Sequence, residues 1–417
     1  MIPEDFVIID NIPLLKNGRV DYTTLPVPEQ SESIFEDYVA PRNNTEQVLA
    51  SIWQELLKLP KVSVQDSFFD LGGQSLLAVS LFNRIEKEFG ERFPLAMLFK
   101  APTIEDLAKQ LDREEGEEVS EWPSLIAVQP HGSKKPLYLV HGAGGNVLLY
   151  KTLSQYLEPD YPLYGLQSQG LDGASKPLQT IEEMAERYLK EIREMQPSGP
   201  YFLGGYCMGG TIAYEMAQRL LSIGEEVGIV AMLDTYNFVK AEKVGFTRFM
   251  FEKLKFHIKN FTQLKPSEMV RYFKEKKRLA YDGGWAHIRT EMPGTTLDDS
   301  FGRAESGIEL SVQTINDHAG DIYIPKPYSG RLTLFKPQKN YSFYSDPQMG
   351  WGDLVQDLDI VELPVNPHAM LVEPYVKILA EELKTRIDGH LKNIGAFEKS
   401  NEMPFNLETV KPYYNKI

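Results

Sequence analysis

The chain has 417 residues and a formal net charge of −15, with 42% hydrophobic residues, 11% aromatic residues and one cysteine. That length exceeds one ordinary core and predicts two or three folding units. The acidic balance argues against nucleic acid as a partner, and the lone cysteine excludes an internal disulfide and fits a reducing compartment. No apolar run approaches the roughly 20 residues of a membrane span, and the start lacks a basic segment leading into an apolar one. A cytoplasmic protein with no membrane partner is expected.

Residues 1–41 combine a short strand-like run, Phe6–Ile9, with a proline-rich stretch, too little to form a core alone. Residues 42–112 show helical periodicity. Asn44, with Gln47 three residues on, is the expected first cap, and Val48, Ile52, Trp53, Leu56 and Leu57 form its apolar stripe. A second helix is expected from Ser75, and Thr103 with Asp106 opens a last short one. This is a small helical bundle. Residues 113–123 are acidic and poor in apolar residues, as in a flexible linker.

From residue 124 to about 390, strands and helices alternate. The expected strands are 125–128, 137–141, 163–167, 201–206, 229–233, 332–335 and 360–363. Residues 240–325 interrupt this alternation as a long helical insertion, so a parallel sheet with an inserted lid is predicted. The first part of that insertion, residues 240–280, is rich in Lys and Arg, which reads best as a solvated face on amphipathic helices. Residues 391–417 show no clear pattern and form a tail.

The cysteine lies in Gly204-Gly205-Tyr206-Cys207-Met208-Gly209-Gly210, between a strand candidate and the amphipathic stretch 211–222. A sharp strand-to-helix turn with glycines on both sides is the nucleophile elbow of α/β-hydrolases, here with sulfur in place of oxygen. A thiol at a helix N-terminus is expected to have a lowered pKa. Asp234 ends the next strand, and His368 follows the last one, giving the hydrolase order of nucleophile, acid and histidine. In that arrangement His368 deprotonates Cys207, and Asp234 fixes the histidine's tautomer. The other histidines fit this topology less well. The glycine-rich stretch His141-Gly142-Ala143-Gly144-Gly145-Asn146 ends another strand, so the backbone N–H groups of Ala143 and Met208 are the expected oxyanion donors. No metal is expected.

Two family resemblances follow. Residues 42–112, through Asp66-Ser67-Phe68-Phe69-Asp70-Leu71-Gly72-Gly73-Gln74-Ser75-Leu76, resemble a peptidyl carrier (thiolation) domain. This resemblance implies 4′-phosphopantetheine attached covalently to Ser75; Gln74 departs from the family's usual histidine or aspartate. Residues 124–390 resemble the type I thioesterase of nonribosomal peptide and polyketide synthases, through the His141 loop, the elbow, Leu233-Asp234-Thr235-Tyr236, Met349-Gly350-Trp351-Gly352 and the His368 segment. Residues 1–27 resemble the end of an adenylation domain, with Arg19 where that family has lysine.

The resemblances imply an α/β class chain: an α/β-hydrolase fold with a helical lid, preceded by a small all-α four-helix carrier domain. They imply a termination unit in which an acyl or peptidyl group passes from Ser75 to Cys207 and is released by hydrolysis or cyclisation. The implied partners are upstream adenylation and condensation domains, a phosphopantetheinyl transferase and an acyl or peptidyl thioester. That family usually has serine at the elbow; cysteine instead exchanges thioester for thioester and keeps the acyl carbon activated. A non-catalytic scaffold with a degenerate hydrolase and a proofreading hydrolase that clears misloaded carriers both stay open at this point, as does replacement of an original serine by Cys207.

Overall fold

A computed structural model describes residues 38–73, 75–90, 92–112, 122–173, 175–237, 239, 307–338, 346–365 and 369–395. The first helix, α1 (Asn44–Leu57), is capped by Asn43 rather than Asn44, its side chain accepting the Glu46 N–H at 2.8 Å. The one-residue shift has a local cause. Glu46 turns back onto Arg42, accepting its backbone N–H at 2.7 Å and its guanidinium at 2.6 Å, and this holds the chain ahead of the helix. The buried stripe is centred on Leu49, Ile52 and Trp53, while Val48, Leu56 and Leu57 are half-buried.

Three further helices, α2 (Ser75–Phe89), α3 (Met97–Lys100) and α4 (Ile104–Leu111), complete the N-terminal unit. Thr103 caps α4 by accepting the Asp106 N–H at 3.1 Å, and its hydroxyl donates back to the Asp106 carboxylate at 2.8 Å. Trp53 and Phe68 are fully buried and meet edge to face, with ring centroids 5.1 Å apart. A Cβ on Gly73 would fall 2.3 Å from the Phe68 ring, so the loop that leads to α2 closes directly on this core.

The second unit is a seven-stranded sheet with all the expected strands: β1 (Leu125–Gln129), β2 (Leu137–Val140), β3 (Leu163–Leu166), β4 (Tyr201–Tyr206), β5 (Val227–Leu233), β6 (Tyr328–Pro337) and β7 (Val355–Leu363). Their order is β1-β3-β2-β4-β5-β6-β7. The sheet is not wholly parallel: β1 pairs antiparallel with β3. The stretch 130–136, which leads from β1 to β2, is too short for the crossover that a parallel neighbour requires.

Helices cover both faces, so β2 and β3 are buried along their whole length. Alternate residues serve opposite cores. Tyr138 and Leu203 face α6 (Ile181–Met195) and α7 (Met208–Ser222), whereas Leu139 and Phe202 face α5 (Lys151–Leu157) and the C-terminal helix α9 (Val376–Gly395). This is the α/β-hydrolase arrangement. Helix α9 continues past the expected boundary at residue 390, where Leu391 still packs, half-buried, against the core. Of the insertion, α8 (Gly307–Ile322) is described, while the basic stretch 240–280 lies outside the described residues. No described helix is long and apolar enough to cross a membrane.

The helical unit depends on Phe68. Phe68→Ala is expected to remove about 3–5 kcal/mol, abolishing the thermal transition of the N-terminal unit in calorimetry while leaving that of the sheet. An unchanged transition would show that Gly73 closes on a core not anchored by this ring.

Candidate active site

The carboxyl ends of β4 and β5 define the site. Tyr206 pairs with Leu233 in the parallel register, so the next residues, Cys207 and Asp234, leave neighbouring strands together. The Cys207 N–H donates to Leu233 O at 2.9 Å. Both residues have positive φ, 54° for Cys207 and 49° for Asp234, which side chains other than glycine tolerate only under strain. Helix α7 begins at Met208. Cys207 therefore occupies the elbow position.

Contact between backbones explains the flanking glycines. A Cβ on Gly205 would lie 2.3 Å from the carbonyl carbon of Gly209, and a Cβ on Gly209 would lie 2.3 Å from Val140 O. The start of α7 thus packs on the bare backbone of β4 and β2. On the other side, Thr235 Oγ1 donates to Cys207 O at 2.9 Å, and Trp351 Nε1 donates to Thr235 O at 3.0 Å. Asn237 extends this anchorage, its side chain donating to Gly350 O at 3.0 Å. The strand-end and Trp351 segments, far apart in the chain, form one support.

The third edge is the loop after β2. Gly142 O accepts from the Gly145 N–H at 2.9 Å and from His141 Nδ1 at 2.6 Å. His141 Nε2 in turn accepts from the Tyr188 hydroxyl at 2.8 Å. Burial pushes the His141 pKa down to about 4, so its ring is neutral and structural. No described residue accepts from the Ala143 N–H, while the Met208 N–H is close enough to the Cys207 thiol to favour its ionised form. The structure brings Cys207, Asp234, Ala143 and Met208 to one strand-end cluster. His368 lies outside the described residues.

The thiol does not follow the expectation of a lowered pKa. Burial pushes Cys207 up to about 11, and the nearby charges of Asp234 and Asp317 add to the rise; the Met208 N–H pulls against them. Asp317 lies on α8 next to Asn316, and sequence reading passed over both. Desolvation, then Asp321, pushes the Asp317 carboxyl up to about 6 although its side chain keeps an exposed edge. A signal for Asn316 was present: it is a polar residue in register with the apolar positions Val312, Ala319 and Tyr323.

Residues 47–111 match the phosphopantetheine attachment site family, and residues 135–245 match the thioesterase domain family. The chain joins a carrier domain to a thioesterase domain. It is 40% identical over 236 residues to a dimodular nonribosomal peptide synthase of Bacillus subtilis (strain 168), an alignment covering 57% of this chain and 10% of that protein. It is 41% identical over 235 residues to malpinin synthetase of Mortierella alpina, covering 56% of this chain and 3% of that one. A solved four-domain nonribosomal peptide synthetase bound to AMP and glycine aligns over 92% of this chain and 29% of its own, at 29% identity and a TM-score of 0.48. The chain thus spans a small fraction of the length of the curated relatives it matches.

Carrier domains of the attachment family hold 4′-phosphopantetheine on a serine. The surroundings of Ser75 fit that group: Ser75 opens the fifteen-residue helix α2, whose terminal N–H groups and dipole favour an anionic phosphodiester. Val79, Phe82 and Leu95 of the carrier line a small cavity together with Leu171 of the thioesterase domain. Leu171 also abuts the site loop, its Cδ2 lying 3.2 Å from where a Cβ on Gly145 would sit.

With a resting pKa near 11, alkylation of the lone cysteine by iodoacetamide should rise roughly tenfold per pH unit from pH 7 to 10 without a plateau. Asp234→Asn removes a negative charge that disfavours the thiolate, so alkylation at a given pH should be faster. A wild-type plateau below pH 8 would instead reveal a standing thiolate–imidazolium pair.

Proposed function

We propose that the chain is the product-releasing end of a nonribosomal peptide synthetase, with residues 42–112 as carrier and 124–390 as thioesterase. The observation that carries this reading is Cys207 at positive φ on the elbow beside Asp234, in a chain that also holds a phosphopantetheine attachment domain. Ser75 is the assigned attachment residue. The attached group supplies a thiol on a long arm, which presents the acyl or peptidyl substrate as a thioester.

In this reading His368 takes the thiol proton as Cys207 Sγ attacks the thioester carbonyl carbon. Asp234 orients the imidazole and offsets its charge. The N–H groups of Ala143 and Met208 receive the oxyanion. Collapse breaks the original carbon–sulfur bond, the departing thiolate takes the proton from His368, and the acyl group remains on Cys207. Water, or a nucleophile within the acyl group, then gives its proton to His368 and attacks, and Cys207 leaves as a thiol. Hydrolysis and cyclisation differ only in that second nucleophile.

The high thiol pKa supports general-base attack, as in a serine enzyme, over a preformed ion pair. Upstream adenylation and condensation domains and a phosphopantetheinyl transferase are the partners this role requires.

The test is peptide-level mass spectrometry after a transferase loads Ser75 with an acyl-phosphopantetheine and the reaction is quenched in acid. Acyl mass is expected on the Cys207 peptide, and not with His368→Ala or Cys207→Ala. Acyl mass remaining on Ser75 across several acyl groups would overturn the reading in favour of a scaffold.

A further inference from the structure

Helix α8 reaches the loop after β2 through one buried polar side chain. Asn316 has no exposed surface, and its Nδ2 donates to the Ala143 carbonyl oxygen at 2.8 Å. One turn earlier, Val312 Cγ1 lies 3.1 Å from where a Cβ on Gly145 would sit; one turn later, Gly320 passes over Met208, a Cβ there lying 4.0 Å from its Cγ. Beyond, the Tyr323 hydroxyl anchors this face to Glu215 of α7 at 2.8 Å. Successive turns of α8 therefore run along the loop and the start of α7.

Packing alone does not explain an amide at this position. Asn316 Oδ1 is buried with no hydrogen-bond partner among the described residues. A buried, unpaired carbonyl costs stability that an apolar side chain of the same shape avoids. What the amide provides is the Nδ2 bond, and that bond ends on Ala143. The peptide plane before Ala143 is already held, because Gly142 O accepts from both the Gly145 N–H and His141. In a trans peptide the Ala143 N–H points opposite to that carbonyl. Asn316 holds the carbonyl on the other side of Ala143, so the residue is clamped at both ends.

We propose that Asn316 is a positioning residue: by fixing the Ala143 carbonyl from α8, it holds the Ala143 N–H where the oxyanion forms. This rests on the reading of Cys207 as nucleophile and Ala143 as oxyanion donor. Asn316 touches no reacting atom and acts through the loop.

The test compares two reactions of Cys207 in the full chain. Acylation by a soluble N-acetylcysteamine thioester develops an oxyanion, whereas alkylation by iodoacetamide does not. Asn316→Leu should slow single-turnover acylation on the order of 10- to 100-fold with the saturation constant little changed, leave alkylation at its wild-type rate, and not lower the melting temperature. Asn316→Asp keeps the shape but, when ionised, cannot donate. Its acylation deficit relative to wild type should be largest above neutrality and shrink as pH falls and the carboxyl, raised by burial, regains an O–H donor. Wild-type acylation in both variants would overturn the proposal, as would parallel loss of acylation and alkylation or an Asn316→Asp deficit that ignores pH. Should the wild-type acyl group be found away from Cys207, the nucleophile assignment fails and this proposal falls with it. Acylation of Cys207 at equal rates in wild type and variants removes this proposal alone.

Discussion

The site depends on bare backbone packed against bare backbone where β4 turns into α7. Gly205 and Gly209 approach so closely that a methyl group on either would overlap its neighbour, and no side-chain rearrangement relieves a clash with main-chain atoms. That contact brings the first turn of α7 down onto the end of β2. Three things follow: Cys207 is forced to positive φ, the Met208 N–H is turned toward its sulfur, and the loop after β2 is drawn alongside. The strain is sustained because the hydrogen bonds from Cys207 to Leu233 and from Thr235 to Cys207 O over-determine the turn.

The electrostatics of the thiol are a contest between a dipole and a desolvated setting. A helix N-terminus offers roughly half an elementary charge, and here it reaches the sulfur through one N–H. Against it stand burial and the negative charges of Asp234 and Asp317. The second set prevails and keeps the thiol protonated. A protonated thiol is a poor target for chance oxidants and electrophiles, because the thiolate is the reactive form. In the triad proposed above, the carboxylate that disfavours the resting thiolate would also favour a protonated histidine, so that charge separation would be reserved for the attack.

Much of this architecture was legible in the chain. The strands of the sheet announce themselves as short apolar runs ended by glycine-rich or acidic turns, and the elbow's glycine spacing places Cys207 at a strand-to-helix turn before any contact is known. What the sequence left hidden depends on competition between neighbours. Asn43 and Asn44 are equally good caps on paper, and the choice falls to Arg42 and Glu46, whose pairing fixes the entry of α1. The direction of β1 is set by the length of its connection relative to the position of β3. The thiol pKa came out with the wrong sign because a dipole can be inferred from one segment, whereas burial and Asp317 come from elements distant in sequence. Asn316 gave a local clue, a polar residue among apolar positions on α8, but its partner Ala143 lies in another part of the chain.

The loop after β2 is where these distant elements meet. Gly145, at φ +80°, leaves room for Ser168, Val312 and Leu171, each within 3.2 Å of a hypothetical Cβ. Ser168 closes the loop by donating its N–H to Gly145 O at 2.8 Å, Val312 belongs to α8, and Leu171 faces the carrier cavity beside Val79 and Phe82 of α2. The same few residues thus form the boundary with the carrier, the seat of α8 and the mount of Ala143. Packed groups shift between discrete arrangements more readily than they deform by degrees. A loop held from three sides therefore keeps its N–H direction when any one neighbour fluctuates. Under the proposed function, this would join the place where the substrate-bearing domain rests to the place where charge develops, by contact and not by distance. If the fold receives its substrate from the attached domain as proposed, docking and oxyanion geometry would then share this one loop.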